Sequence, residues 1–213
     1  KRGAQGDRVF RILELLIFGE LPSTMTEVGK HAFWRCGLLK VVVLNEGLQK
    51  IGEFAFCRCS SLESIKFPST ISEVGDKKIG KGAFDECSSL GSIIFSSTIC
   101  EVGDQAFWGC KQLKVVVLNE GLQKIGELAF FLCSSLESIK FSSTISEVGD
   151  HAFGRCDQLK VVVLNEGLKK IGEFSSTISE VGDHAFCSCD SLIRLAGVSH
   201  FGVAHLWKAS FFL

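Results

Sequence analysis

Residues 51–71 read IGEFAFCRCSSLESIKFPSTI, and the same frame returns at an underlying spacing of 23 residues along most of the chain. Full frames begin at Val28, Ile51, Ile79, Val102, Ile125, Val148 and Val181. Counted from that Val or Ile, position 2 is Gly, 5 is Ala, 6 is Phe, 9 is Cys and 12 is Leu, with apolar residues recurring at 15 and 17. A doubled period sits on top: Val28–Glu73 and Val102–Glu147 differ at 9 of 46 aligned positions.

The frame has a physical reading. Alternation at 15 and 17 is the period of a strand with one buried face. Positions 4 to 9, HAFWRC in the frame of Val28, read as one helical turn with 5, 6 and 9 on one side. Gly at position 2 allows a sharp turn or a close backbone approach. One strand and one turn cannot bury their own apolar side, but stacked copies supply each other's core. The expectation is an α/β solenoid of about eight tiers, one parallel sheet and short helical turns opposite it. Its strands are placed at Leu13–Phe18, Leu39–Leu44, Leu62–Phe67, Leu90–Phe95, Leu113–Leu118, Leu136–Phe141, Leu159–Leu164 and Leu192–Leu195. At about 4.8 Å per strand the stack is roughly 35 Å long.

The string I-G-x-x-A-F-x-x-C-x-x-L-x-x-I-x-F-P-S-T-I at Ile51–Ile71 resembles BspA-like leucine-rich repeats, and the match runs from about Leu13 to Leu195. That resemblance implies a curved solenoid with the sheet on its concave side, and a binding or adhesion role. It also implies bacterial relatives that are often cell-surface proteins. One departure is the usual proline at position 18, kept only at Pro22 and Pro68 and replaced elsewhere by Asn or Ser.

The array divides into a leading cap and partial repeat at 1–27, repeats over 28–195, and a tail or cap at 196–213, all within one domain. Two places break the spacing. Val74–Lys78 reads as a five-residue insertion, and 171–180 as a degenerate repeat that bulges as a loop.

Of 213 residues, 46% are hydrophobic and 22% charged, with 23 Lys and Arg against 24 Asp and Glu. That balance argues against a disordered chain and against a nucleic-acid-binding surface. No apolar run reaches the roughly 18 residues of a membrane span. Lys1-Arg2 followed by Gly-Ala-Gln-Gly-Asp does not read as a secretory signal, and no compartment is assigned.

Charge explains the doubled period. Position 13 runs Glu14, Lys40, Glu63, Gly91, Lys114, Glu137, Lys160, and position 23 runs Glu27, Lys50, Glu73, Glu101, Lys124, Glu147, Lys170. Equivalent positions stack, so a 23-residue unit copied identically would set like charges against each other. Doubling the unit alternates their sign. The Glu73–Glu101 neighbours flank Lys77 and Lys78, which are expected to neutralise them.

Little of the remaining chemistry points to catalysis. Position 9 is Cys36, Cys59, Cys87, Cys110, Cys133, Cys156 and Cys189, read as a ladder of small buried thiols because stacked Cβ atoms at strand spacing do not suit a disulfide. Cys57, Cys187 and Cys100 are the thiols outside that ladder, and the ones open to reactivity. Phe33, Phe56, Phe84, Phe107, Phe130, Phe153 and Phe186 are read as a core spine. His31, His151 and His184 share position 4, with His151 and His184 at a conceivable metal-bridging separation, but a solvated surface row is the simpler reading. Gly75–Gly82 matches G-x₄-G-K and then lacks the Ser or Thr of a phosphate loop. No catalytic residue, metal or cofactor is assigned, and the chain is not read as an enzyme.

The outward strand positions are the binding candidates: Val41, Val43, Lys66, Ile94, Val115, Val117, Lys140, Val161 and Val163, with Trp34 and Trp108 at position 7 as secondary anchors. β-propensity alone also accounts for valine there. The expected function is a non-enzymatic protein-binding module with a protein partner. The alternatives are a surface or extracellular adhesion protein, and a structural subunit or spacer in a larger complex.

Overall fold

The structure, a computed structural model, describes residues 18–21, 23–67, 77–96, 98–171, 185–187, 189 and 194–196. The described chain is a parallel-strand β-solenoid built from short strands numbered β1 to β15 along the sequence. The first sheet has eight strands: β1 (Phe18–Glu20), β3 (Val41–Val43), β5 (Ser64–Lys66), β7 (Ser92–Ile94), β9 (Val115–Val117), β11 (Ser138–Lys140), β13 (Val161–Val163) and β15 (Arg194–Ala196). The second has seven: β2 (Glu27–Val28), β4 (Lys50–Ile51), β6 (Lys77–Ile79), β8 (Ile99–Val102), β10 (Lys124–Ile125), β12 (Glu147–Val148) and β14 (Lys170–Ile171). In both sheets each strand pairs with its equivalent one repeat away, so every coil lays its strands beside those of the next.

Two sheets replace the single one expected. The second forms at positions 23 and 1, where only one residue per coil is buried. A two-residue strand carries too little alternation to register as a period. From β3 to β13 the strands of the first sheet keep the expected places but shrink to three residues each, because only positions 14 to 16 pair across the coils.

The helical turns are absent among the described residues, so the α/β class is corrected to β. Positions 4 and 8 instead adopt left-handed backbone: His31 at φ 58, Arg35 at 59, Phe54 at 52, Arg58 at 61, His151 at 51 and Arg155 at 53. Alternate residues of this segment then bond in two ways. The N–H groups at 4, 6 and 8 donate to the next tier, as Phe54 to Lys81 at 2.9 Å, Phe56 to Ala83 and Arg58 to Asp85 at 2.7 Å. Those at 5, 7 and 9 close turns within the coil, as Ala55 to Gly52 at 3.3 Å and Cys57 to Phe54 at 3.2 Å. A left-handed non-glycine residue costs about 1–2 kcal/mol, and the inter-tier bonds it permits return about 1 kcal/mol each. The helical reading failed because 5, 6 and 9 face the core in this alternating segment as they would in a helix.

The core is one continuous stack. The position 6 rings run Phe33, Phe56, Phe84, Phe107, Phe130, Phe153, Phe186 with centroids 4.9 to 5.4 Å apart and planes within 10°. Rows of Ala, Cys and Leu at 5, 9 and 12 lie beside them, with Val42, Ile65, Ile93, Val116, Ile139 and Val162 from the first sheet. The position 2 glycines allow the close approach: a Cβ at Gly52 would fall 2.8 Å from the backbone of Gly29 and Lys30.

Three expected boundaries move. Phe18 pairs with Val41 and Gly19 with Val42, so β1 lies three residues later than Leu13–Phe18 implies. Gly19 and Glu20 complete that strand. Lys77 and Lys78 belong to β6, not to an inserted loop, and Ala196 pairs with Val163 inside the first sheet, not in the tail. The leading strand at 13–17, Glu14, Glu73, residues 74–76, the degenerate repeat at 172–180, His184 and residues 197–213 lie outside the described residues. So do parts of the first and last of the eight expected tiers.

Candidate binding surface

The three-residue strands of the first sheet bury their middle side chain and turn the outer two away from the core, a pattern seen from β3 to β13. Ile94, Val115 and Val117 are 63, 51 and 46% exposed. They are contiguous: Ile94 pairs with Val117, and Val115 stands two residues before Val117 on the same strand. The other nominated valines, Val41, Val43, Val161 and Val163, are half-buried, while Lys66 and Lys140 are exposed. Among the residues whose exposure is described, five exposed lysines stand within and just before the strands, Lys40, Lys66, Lys114, Lys140 and Lys160, against two exposed carboxylates, Glu63 and Glu137. This face is therefore basic in a chain whose net charge is −1.

The tryptophans are elsewhere, on the turn segment. Trp34 is 46% exposed, with the Arg35 guanidinium 4.6 Å from its ring centroid and the His31 ring edge-on at 6.2 Å. Trp108 is half-buried. Sequence reasoning missed Leu38, the most exposed large apolar side chain described, at 71%. Its signal was available: position 11 is Ser or Gln in every other full frame.

The charge ladders are real and carry one defect. Glu27 pairs with Lys50 at 2.9 Å, Lys40 with Glu63 at 3.4 Å, and Lys78 with Glu101 at 2.7 Å. The register sets Lys78 between Lys50 and Glu101, so the extra residues put a lysine where Glu73 was expected. Two further pairs link the turn segments, Lys30 to Glu53 and Arg58 to Glu86, both at 2.6 Å.

The ladder thiols have defined work. Cys59, Cys87, Cys110, Cys133, Cys156 and Cys189 donate S–H to the position 6 carbonyl one tier earlier, at 3.0 to 3.3 Å. None of the ten cysteines is in a disulfide. Burial pushes the Cys87, Cys110 and Cys133 thiols far up. Outside the ladder, Cys57 donates to Asp85 at 3.6 Å, and Cys187 meets His151 at 3.0 Å. No group of three or more His, Cys, Asp or Glu side chains is arranged to hold a metal among the described residues. No described helix is long and apolar enough to cross a membrane.

The family model of the BspA type leucine rich repeat region matches residues 6–78 and 77–175, in six copies. This chain belongs to that family. Among solved structures, the leucine rich repeat protein of T. pallidum is 26% identical with a TM-score of 0.66, over 81% of this chain and 76% of that one. A leucine-rich repeat protein from Bacteroides ovatus is 21% identical with a TM-score of 0.50, over 84% of this chain and 63% of its own. No curated protein matches. BspA-type repeats therefore account for the stacked core, and the residues that differ between tiers are where this member departs from its own template.

Proposed function

We propose that this BspA-type repeat protein is a non-enzymatic binding module that engages a protein partner through the outer face of its first sheet, the side expected to be concave. The exposed Ile94–Val115–Val117 cluster carries the reading, because an apolar patch set among charged neighbours is the pattern of an interface centre. The lysine excess around it favours a partner segment with aliphatic side chains flanked by carboxylates. Trp34 and Trp108, on another face, are secondary anchors.

Binding of the full chain to two peptide sets, aliphatic-acidic and aliphatic-basic, tests this. Ile94→Glu with Val117→Glu should lower affinity for the acidic set by about tenfold or more, since a desolvated apolar contact of this size contributes at least 1.4 kcal/mol. Equal binding of the two sets, or no effect of the double variant on a folded chain, overturns the assignment. Loss on Trp34→Ala alone would move the site to the turn segment.

A further inference from the structure

Position 7 is a cysteine in two frames, and the two tiers surround it differently. Cys57 is buried beside Asp85, and burial first, then the Asp85 charge, push its thiol up to about 11. Cys187 is half-buried, and its Sγ lies 3.0 Å from Nδ1 of His151, a position 4 residue one tier earlier. His31 occupies the equivalent place before Cys57, yet its ring stacks on Phe54 at 5.5 Å and 8°. One difference lies at position 7 of the histidine's own tier, which is Trp34 in one case and Gly154 in the other. A second lies at position 4 of the next tier, Phe54 in one case and His184, outside the described residues, in the other. A Cβ at Gly154 would stand 2.8 Å from the Phe131 ring and 3.0 Å from Cys187 Sγ. The missing side chain leaves the thiol its place beside the imidazole. Burial and Cys189 push the Cys187 thiol up, while Arg155 pulls it down, and among the described residues no carboxylate opposes ionisation there as Asp85 does at Cys57.

We propose that Cys187 is a thiol-exchange site for low-molecular-weight disulfides, with His151 as its base. The Sγ–H proton passes to Nδ1 of His151 as Sγ attacks one sulfur of the incoming disulfide. A new S–S bond forms to Cys187, and the incoming S–S bond breaks. The departing thiolate takes the proton back from the imidazolium, so the incoming disulfide is the only oxidant. The ladder thiols, whose S–H groups are held by carbonyls inside the core, stay unreacted.

The full chain is incubated with oxidised glutathione, acid-quenched at intervals, digested, and each cysteine peptide quantified by mass spectrometry. Cys187 should carry the first adduct, about tenfold ahead of any other cysteine, and His151→Gln should slow it about tenfold without changing the rest. Between about pH 7 and 8 the His151→Gln rate should climb about tenfold per pH unit, as attack by free thiolate requires, and the wild-type rate should rise far less steeply. Gly154→Ala keeps the histidine and displaces the thiol, and should slow Cys187 as well. First adducts on Cys57, Cys36 or Cys100, or a Cys187 rate and pH slope unmoved by both variants, overturn the assignment.

Discussion

Phe107 and Trp108 are adjacent in the chain and sit in different parts of the stack. Phe107 is fully buried, with the Phe84 and Phe130 rings 5.2 Å away on either side and Phe95 edge-on at 5.9 Å. Trp108 is half-buried in an outer row that runs Trp34, Cys57, Asp85, Trp108, Phe131, Gly154, Cys187. The inner row holds one residue type in every tier, and the outer row changes at almost every one. An inner side chain must fit its copies above and below in a core packed to crystal density. An outer one needs only to tolerate its neighbours. Repetition therefore marks what holds the solenoid together, and departures from repetition mark where its specific chemistry sits.

Substitution at the two neighbours separates these roles most sharply. Phe107→Ala opens a cavity between two stacked rings and should cost about 3–5 kcal/mol. Trp108→Ala, from a half-exposed site, should cost less than half as much. Denaturant midpoints at constant slope measure both, and equal costs would erase the inner–outer distinction. One step down is the thiol ladder. Cys110→Ala loses packing and the hydrogen bond to the Phe84 carbonyl, an expected cost of about 1–2 kcal/mol. Cys110→Ser keeps a donor there and should cost less. If Ser and Ala cost the same, the ladder acts through volume alone.

That contrast also explains what could be read from the chain. The core rows were visible because Phe, Cys, Ala and Leu recur at fixed positions, and the charge ladders because their sign alternates over the doubled unit. The second sheet was not, since most of its strands are two residues long with one of them buried. Nor was the turn segment, whose left-handed residues at positions 4 and 8 carry no common side chain: His, Phe, Gly, Gln and Leu share position 4. The binding face was nominated residue by residue, yet Val41 and Val161 are half-buried where Val115 is exposed. Contacts between position 4 of one tier and position 7 of the next, such as His151 with Cys187, depend on which side chain is missing between them. A linear pattern does not show that.

Asp85 tests the outer row by pH. Burial holds its carboxyl above the ordinary aspartate value, and its Oδ1 is buried with no hydrogen-bond partner. A folded-state value raised above the unfolded one means the carboxyl's favourable contribution is full at low pH and lost as pH rises through the folded value. At neutral pH the charged form is therefore a cost. Asp85→Asn, which keeps an oxygen for the Cys57 thiol, should stabilise the chain at neutral pH. The gain should be no more than about 1 kcal/mol, because the group is half exposed and water screens it. Its advantage should shrink as pH falls through the raised value, and an advantage constant with pH would mean that Asp85 is not the titrating group.

The smallest expected effect belongs to the ladder of the second sheet, and the ladder's own irregularity supplies the control. Lys124 stands in register between Glu101 and Glu147. Lys124→Glu turns two favourable neighbours into two repulsive ones, so it should destabilise by about 0.5–1 kcal/mol at low salt. Lys78 stands between Lys50 and Glu101. Lys78→Glu removes one like-charge contact as it creates another, so its net effect should be near zero. Both differences should fade toward zero as the screening length shrinks to about 3 Å at 1 M salt. A Lys78→Glu cost matching that of Lys124→Glu would show that position within the strand, not the sign of its neighbours, governs the ladder. The doubled repeat would then need another cause than charge.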